Sequence, residues 1–158
     1  MPATVISGKV LSQELRQALV APLGLLAARG IQPGLTVILL GEDPASVSYV
    51  TGKEKASREL GMNGETLRLS ASTCEAELLA LIGKLNADPA VHGILVQLPL
   101  PPHIDSGKVI LAIDPAKDVD GFHPVSLGQL VLGGPGFLFR GPKWSSSEGR
   151  TSSASRWP

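Results

Sequence analysis

Two short, unbroken apolar runs, Leu35 to Leu40 (LTVILL) and Gly93 to Val96 (GILV), constrain the fold of this chain more than any other feature. An apolar run rich in β-branched residues and bounded by glycines, as the first is by Gly34 and Gly41, reads as a strand buried on both faces. Helical patterns surround these runs. Leu11, Leu15, Leu19, Leu23 and Leu26 recur at helical spacing and stop before Gly30, which predicts an amphipathic helix. Pro44 opens a second helix that closes at Gly61, with proline inside its start and glycine beyond its end. Glu65 to Leu69 alternates like a strand, and Ser72 with Glu75 forms a capping-box pattern before a helix over Glu75 to Asn86. Lys108 to Ile113 is a further amphipathic run. Buried strands alternating with helices predict an α/β fold with an open, mainly parallel sheet and helices on both faces.

A chain of 158 residues is long enough for one domain with a proper core. Fourteen basic and fourteen acidic residues cancel without forming a block of one sign, so no electrostatic footprint for nucleic acid or an anionic membrane is present. Small, roughly neutral ligands are favoured. The single cysteine, Cys74, excludes an internal disulfide, and the start MPATVISGKVLSQELRQ has neither a signal-sequence nor a transit-peptide pattern. These features fit a reducing cytoplasm. Every apolar stretch falls short of the roughly 20 residues needed to cross a bilayer.

In open α/β sheets, ligands bind beyond the carboxyl ends of the strands. Tyr49 and Lys53 lie on the helix after the first buried strand, four residues apart and so on one face. Gln97 follows the second buried run directly, and Pro99, Pro101 and Pro102 predict an extended, rigid exit from it. Asp118 and Asp120 sit in the turn KDVDGFHP. A lysine beside an aromatic face and apolar walls loses hydration and its pKa falls, so it can exchange a proton near neutral pH. Gln97 could hold the amine by a neutral hydrogen bond, and Asp120 could accept paired N–H donors from a heterocycle. The pattern suits a flat, nitrogen-rich ligand beside a tunable lysine.

Each feature also has a plainer reading. A lysine one turn after a tyrosine is usually a surface residue with a snorkelling stem. Gln97 alone could cap a strand, and DVDG could be an ordinary turn with Gly121 at positive φ. A rival is a divalent-metal site from Asp118, Asp120 and His123, serving a metal-dependent hydrolase, although no second carboxylate-rich motif supports it. His92 and His103 read as structural. Cys74, at a helix start, reads as a half-buried, inert thiol.

Taken together and in this order, YVTGK, the apolar run leading into VQLPLP, and KDVDGFHP resemble the bifunctional methylenetetrahydrofolate dehydrogenase/methenyltetrahydrofolate cyclohydrolase family over about residues 3 to 138. The resemblance implies one-carbon folate chemistry: NADP-dependent oxidation of 5,10-methylenetetrahydrofolate to 5,10-methenyltetrahydrofolate, then hydrolysis to 10-formyltetrahydrofolate. It gives Lys53 the handling of water and proton at the methenyl bridge, and Tyr49 the packing against the folate. Gln97 is implied to tune the lysine, and Asp120 to grip the pterin ring. Ser46 and the segment Val96, Gln97, Leu98 and Pro99 match positions lining the folate cleft. The family further implies tetrahydrofolate derivatives as partners, a cytoplasmic homodimer, and a place in purine supply.

The end of the chain departs from that pattern. Phe139 to Pro158 (FRGPKWSSSEGRTSSASRWP) has no hydrophobic periodicity and is dense in Ser, Arg and Gly, so a disordered tail is expected at 139–158 after a folate domain at 1–138. The expected origin is loss of the natural reading frame near Leu138. Sequencing the coding DNA tests this, because the idea fails without an intact alternative frame there. No Gly-x-Gly-x-x-Gly loop occurs in these residues, so the Rossmann-type nucleotide domain that the resemblance implies is expected to be absent and the chain alone is not expected to bind NADP. A non-catalytic folate-binding or dimerising fragment is therefore an alternative to the full enzyme.

Overall fold

The computed structural model describes residues 7–132. Ser7 caps helix α1 (Gly8–Ala28), its hydroxyl accepting from the Val10 N–H at 3.5 Å. Strand β1 (Gly34–Leu40) follows, then α2 (Pro44–Glu59), β2 (Asn63–Leu69), α3 (Glu75–Ala87), β3 (Gly93–Val96), α4 (Ser106–Ala112) and α5 (Pro124–Leu132). The three strands are parallel in the order β2-β1-β3. Ile38 stands opposite Leu67 on one side and Val96 on the other.

Because strand residues alternate between faces, β1 feeds two cores. Ile38 and Leu40 pack with Ile94 and Val96 against Leu78, Ile82 and Leu85 of α3 and Val109 of α4. Val37 and Leu39 pack with Leu95 against Val50 of α2 on the opposite face. That two-sided burial is why LTVILL and GILV are apolar but for the buried Thr36, and helices do cover both faces as expected. Each fully buried Leu, Ile or Val here contributes about 1.5–3 kcal/mol relative to exposure.

Several local expectations change. The N-cap of α3 is Cys74, not Ser72; its backbone N–H donates to the Glu77 carboxylate at 3.1 Å. Ser72 is tied to Ser70 instead, and Glu75 accepts from the Asp105 N–H at 2.8 Å and the Lys108 ammonium at 2.7 Å. Cys74 is exposed rather than half-buried. The chain bends at Leu98 and Pro99, joined by a cis peptide, where an extended exit was expected. Helix α5 was not foreseen. Helix α1 forms as expected, yet none of its residues is buried. The 138/139 boundary and the expected disordered tail lie outside the described residues. Among the described residues, no helix is long and apolar enough to cross a membrane.

Candidate functional site

The chain leaves β1 for β2 on one side and later returns to place β3 on the other, so the strand order diverges at β1. A crevice at the carboxyl ends of strands where the order diverges is where ligands bind in such sheets. Three segments meet there: the start of α2, the residues after β3, and the stretch from Lys117 to His123.

Helix α2 begins at a strong cap. Asp43 accepts from the Ser46 N–H at 2.8 Å, and that backbone bond, followed by the Ser46 hydroxyl, holds its carboxyl below the ordinary aspartate value. Ser46 is buried in this cap, and one turn later Val50 is wholly buried on the sheet. Lys53 falls two turns after Ser46, on the margin of the same stripe and half-buried. Its ammonium lies 4.3 Å from the centroid of the Tyr49 ring, a cation–π contact. Tyr49 itself is 60% exposed, which leaves most of its surface open to a ligand. Burial lowers the Lys53 pKa, and the negative charge of Asp120 works against that fall.

At the end of β3, the Gln97 backbone N–H donates to Ile38 at 2.9 Å, which ties this position to β1. Its side chain does not hold Lys53, contrary to expectation. The Nε2 group donates to the carbonyl of its neighbour Leu98 at 2.8 Å. The Oε1 atom is buried and has no hydrogen-bond partner among the described residues. An unsatisfied buried acceptor is costly and calls for a donor.

The third segment lies along the free edge of β3. The Ile94 N–H donates to Lys117 at 2.8 Å, and Ile94 and Asp118 form a parallel bridge. Asp118 is buried and its carboxylate accepts from the N–H groups of Gly121 and His123 and the hydroxyl of Ser126. Gly121 has φ +71, as a tight turn here requires. Asp120 sits two residues beyond the bridge. Its side chain is exposed at the rim; partial desolvation there raises its pKa, Lys53 opposes that rise, and Asp118 adds to it. A narrow crevice lined by Val96, Leu98, Asp118, Asp120 and Phe122 joins this loop to the end of β3. Phe122, half-exposed, was not singled out from the sequence, although it lies within KDVDGFHP.

Tyr49 and Lys53 also line an open groove of about 640 Å³ between α1 and α2, with Ser12 and Arg16 on the other wall. Thus Lys53 and Asp120 are electrostatically coupled, Gln97 lies at the end of β3 beside the Asp118–Asp120 loop, Ser46 serves the helix cap, and Pro99 is exposed. The metal alternative finds no geometry. Asp118 is committed to three donors, His123 Nδ1 accepts from the Val125 N–H at 3.1 Å, and no metal-ligating cluster forms among the described residues. His92 Nδ1 accepts from the Gly34 N–H at 3.1 Å and His103 pairs with the Thr73 carbonyl at 2.9 Å, both structural roles.

The turn from β1 into α2 does not fit the pyrophosphate of a dinucleotide. The turn from β1 into α2 reads Gly41-Glu42-Asp43-Pro44, placing two carboxylates where a pyrophosphate would need bare N–H groups. Asp43 already occupies one of the N–H donors of that helix start.

A family model described as tetrahydrofolate dehydrogenase/cyclohydrolase, catalytic domain, matches residues 6–120. The chain is 60% identical over 136 residues to the bifunctional protein FolD of Exiguobacterium sibiricum, covering 86% of this chain and 49% of that protein. To FolD of Geotalea uraniireducens it is 51% identical, covering 85% and 48%. The crystal structure of the FolD methylenetetrahydrofolate dehydrogenase/cyclohydrolase of Campylobacter jejuni superposes with a TM-score of 0.83 at 46% identity, covering 85% of this chain and 48% of that one. The Trypanosoma brucei methylenetetrahydrofolate dehydrogenase-cyclohydrolase, solved with NADP and an inhibitor, gives a TM-score of 0.78 at 38% identity, covering 82% and 45%. The chain spans about half the length of these relatives.

Proposed function

The chain belongs to the tetrahydrofolate dehydrogenase/cyclohydrolase family, and from that premise we propose that its described residues build the folate side of a one-carbon active site. The observation that carries this reading is Lys53, an ammonium set over Tyr49 with its pKa lowered by burial and coupled to Asp120. A lysine with a lowered pKa holds a larger neutral fraction near pH 7, which is what a general base requires.

The chemistry this supports is hydrolysis of 5,10-methenyltetrahydrofolate. Neutral Lys53 takes a proton from water as the water oxygen bonds to the cationic methenyl carbon, giving a neutral carbinolamine. The hydroxyl proton then leaves as the carbonyl forms and the bond from carbon to N5 breaks. N5 takes the proton that Lys53 had drawn from the water, the hydroxyl proton passes to solvent, and 10-formyltetrahydrofolate remains with one proton released overall. Tyr49 offers a face for the folate ring system. Asp120 accepts N–H donors of the pterin, and the orphaned Oε1 of Gln97 accepts a donor supplied by the ligand. Val96, Leu98 and Pro99 form the adjoining wall.

The NADP-dependent oxidation that precedes this hydrolysis belongs, in this reading, to the full-length enzyme of the family. The β1–α2 turn carries Glu42 and Asp43 where a phosphate would need free N–H groups, and no hydride step is assigned to the described residues. In this reading residues 1–138 are the folate domain and 139–158 a tail outside the family pattern, while the full-length enzyme of the family is a cytoplasmic homodimer supplying one-carbon units for purine synthesis. Decay of methenyltetrahydrofolate absorbance, followed with native and Lys53→Met protein, tests the hydrolysis. A lysine-dependent rate unaffected by chelator supports it; identical rates refute it. A second reading, folate binding without turnover, is favoured by the roughly half-length match to the relatives. Calorimetric binding of tetrahydrofolate with no lysine-dependent decay would select it.

A further inference from the structure

Asp118 and Asp120 are two residues apart, yet only Asp120 has a carboxyl free to meet a ligand. Asp118 is 3% exposed and accepts three hydrogen bonds: Gly121 N–H at 3.0 Å, His123 N–H at 2.9 Å and Ser126 Oγ–H at 2.9 Å. All three donors lie within the eight residues that follow it, so a single carboxylate closes the loop around Asp120 and fastens it to the first turn of α5. The loop is fixed at its other end too. Asp118 bridges Ile94, and Val119 lies so close over Gly93 that a Cβ there would come within 2.6 Å of Val119 Cγ1. Asp120 is exposed and lines the crevice from the short stretch 119–123 between the bridge and α5, and unless that stretch were held its charged carboxyl would gain hydration by turning away from the crevice.

We propose that Asp118, clasped by Ser126, is a positioning residue that holds Asp120 in the crevice and makes its contact with the folate depend on α5. The inference rests on the folate reading above and concerns a residue that itself touches no ligand. A charge-assisted hydrogen bond to a buried carboxylate is stronger than a neutral one, so the clasp has the strength to fix a short loop.

The test is calorimetric titration of the 158-residue protein with tetrahydrofolate, using Ser126→Ala, Asp118→Asn, Asp120→Asn and the Ser126→Ala/Asp120→Asn double variant. Losing the serine donor is expected to weaken binding roughly fivefold, and Asp118→Asn about tenfold or more, since its amide turns a donor towards donors. Circular dichroism melts identify variants that fail to fold, and Ser126→Ala, which leaves two donors in place, carries the test if Asp118→Asn does not. A merely structural clasp would weaken binding equally whether or not Asp120 is present. Positioning predicts that the double variant binds like Asp120→Asn alone. Independent, multiplying effects would overturn the inference while leaving the folate reading intact, as would unaltered binding by Ser126→Ala. No binding by the native protein, or native-like binding by Asp120→Asn, would overturn the folate role of Asp120 and the inference with it.

Discussion

Helices α1 and α2 flank the same groove but live in different environments. The first has 21 residues with leucines at helical spacing and buries none of them; the second has 16 residues, is more polar, and buries Ser46, Val50 and Ser57. Topology explains the reversal. Helix α2 is the crossover between two adjacent parallel strands, so the short connections at both ends press it onto the sheet. Helix α1 precedes β1 and, among the described residues, is joined to the sheet at one end only; it reaches α2 through the exposed Arg16–Glu59 ion pair at 3.6 Å and a groove between Val20, Leu23, Ile31 and Leu60. Apolar periodicity thus decides that a helix forms and which face it offers, while connectivity decides what the face meets. Tyr49 and Lys53, the residues proposed for the chemistry, sit on the tethered helix.

The sharpest contrast should come from the strand that both cores share. Ile38 is fully buried between β2 and β3, so Ile38→Ala should cost about 2–5 kcal/mol in chemical denaturation. A cost under 1 kcal/mol would mean that the sheet is not the stable half of the comparison.

Next in size is Lys53→Met, which should lower methenyltetrahydrofolate hydrolysis about 100-fold or more, the usual scale for losing a general base. Stability should not fall with it. The folded-state pKa of Lys53 is lowered, so burying its charged form costs stability below that pKa, and the cost is relieved as pH rises through it. The Met variant lacks that pH-dependent gain. A variant that unfolds at neutral pH would show that Lys53 is structural.

Asp120→Asn has a smaller, directional effect. Removing the carboxylate that raises the Lys53 pKa should let desolvation lower it further, seen as a downward shift in the titration of the ¹³Cε resonance of Lys53. Asp120 has the opposite linkage: its raised pKa adds stability at acid pH that is lost as pH rises through the folded value, and the Asn variant should lack this slope. An unmoved lysine titration would break the coupling between the helix and the loop.

These features differ in how far they could be read in advance. The strands LTVILL and GILV were legible because burial on both faces forces continuous apolarity, and α2 because Pro44 and Gly61 mark its ends. The α3 cap slipped by two residues because Ser72-x-x-Glu75 and Cys74-x-x-Glu77 offer the same spacing, and only Glu77 reaches back to an N-cap amide. Helix α5 was hidden behind a motif read as a turn, although Pro124 at its first position was a signal. Tyr49, Lys53 and Asp120 were placed near one another by the rule that loops at strand carboxyl ends converge. The Gln97–Lys53 bond failed because side-chain reach depends on local rivals, here the Leu98 carbonyl one residue away. Nothing in the composition of DVDG separates Asp118 from Asp120; their fates diverge because the ladder with β3 ends at the first.

The smallest effect belongs to α1. Leu19 is 46% exposed, and alanine is at least as good a helix former as leucine. Leu19→Ala should therefore shift stability by no more than about 0.5 kcal/mol, the ordinary range for surface positions. The contrast with Ile38 would then stand as a difference between two equally apolar residues separated only by what their elements are tied to. A loss of several kcal/mol would break it by showing that α1 is covered in solution. If that loss grew with protein concentration, the cover would be a second copy of the chain, because only association makes stability concentration-dependent.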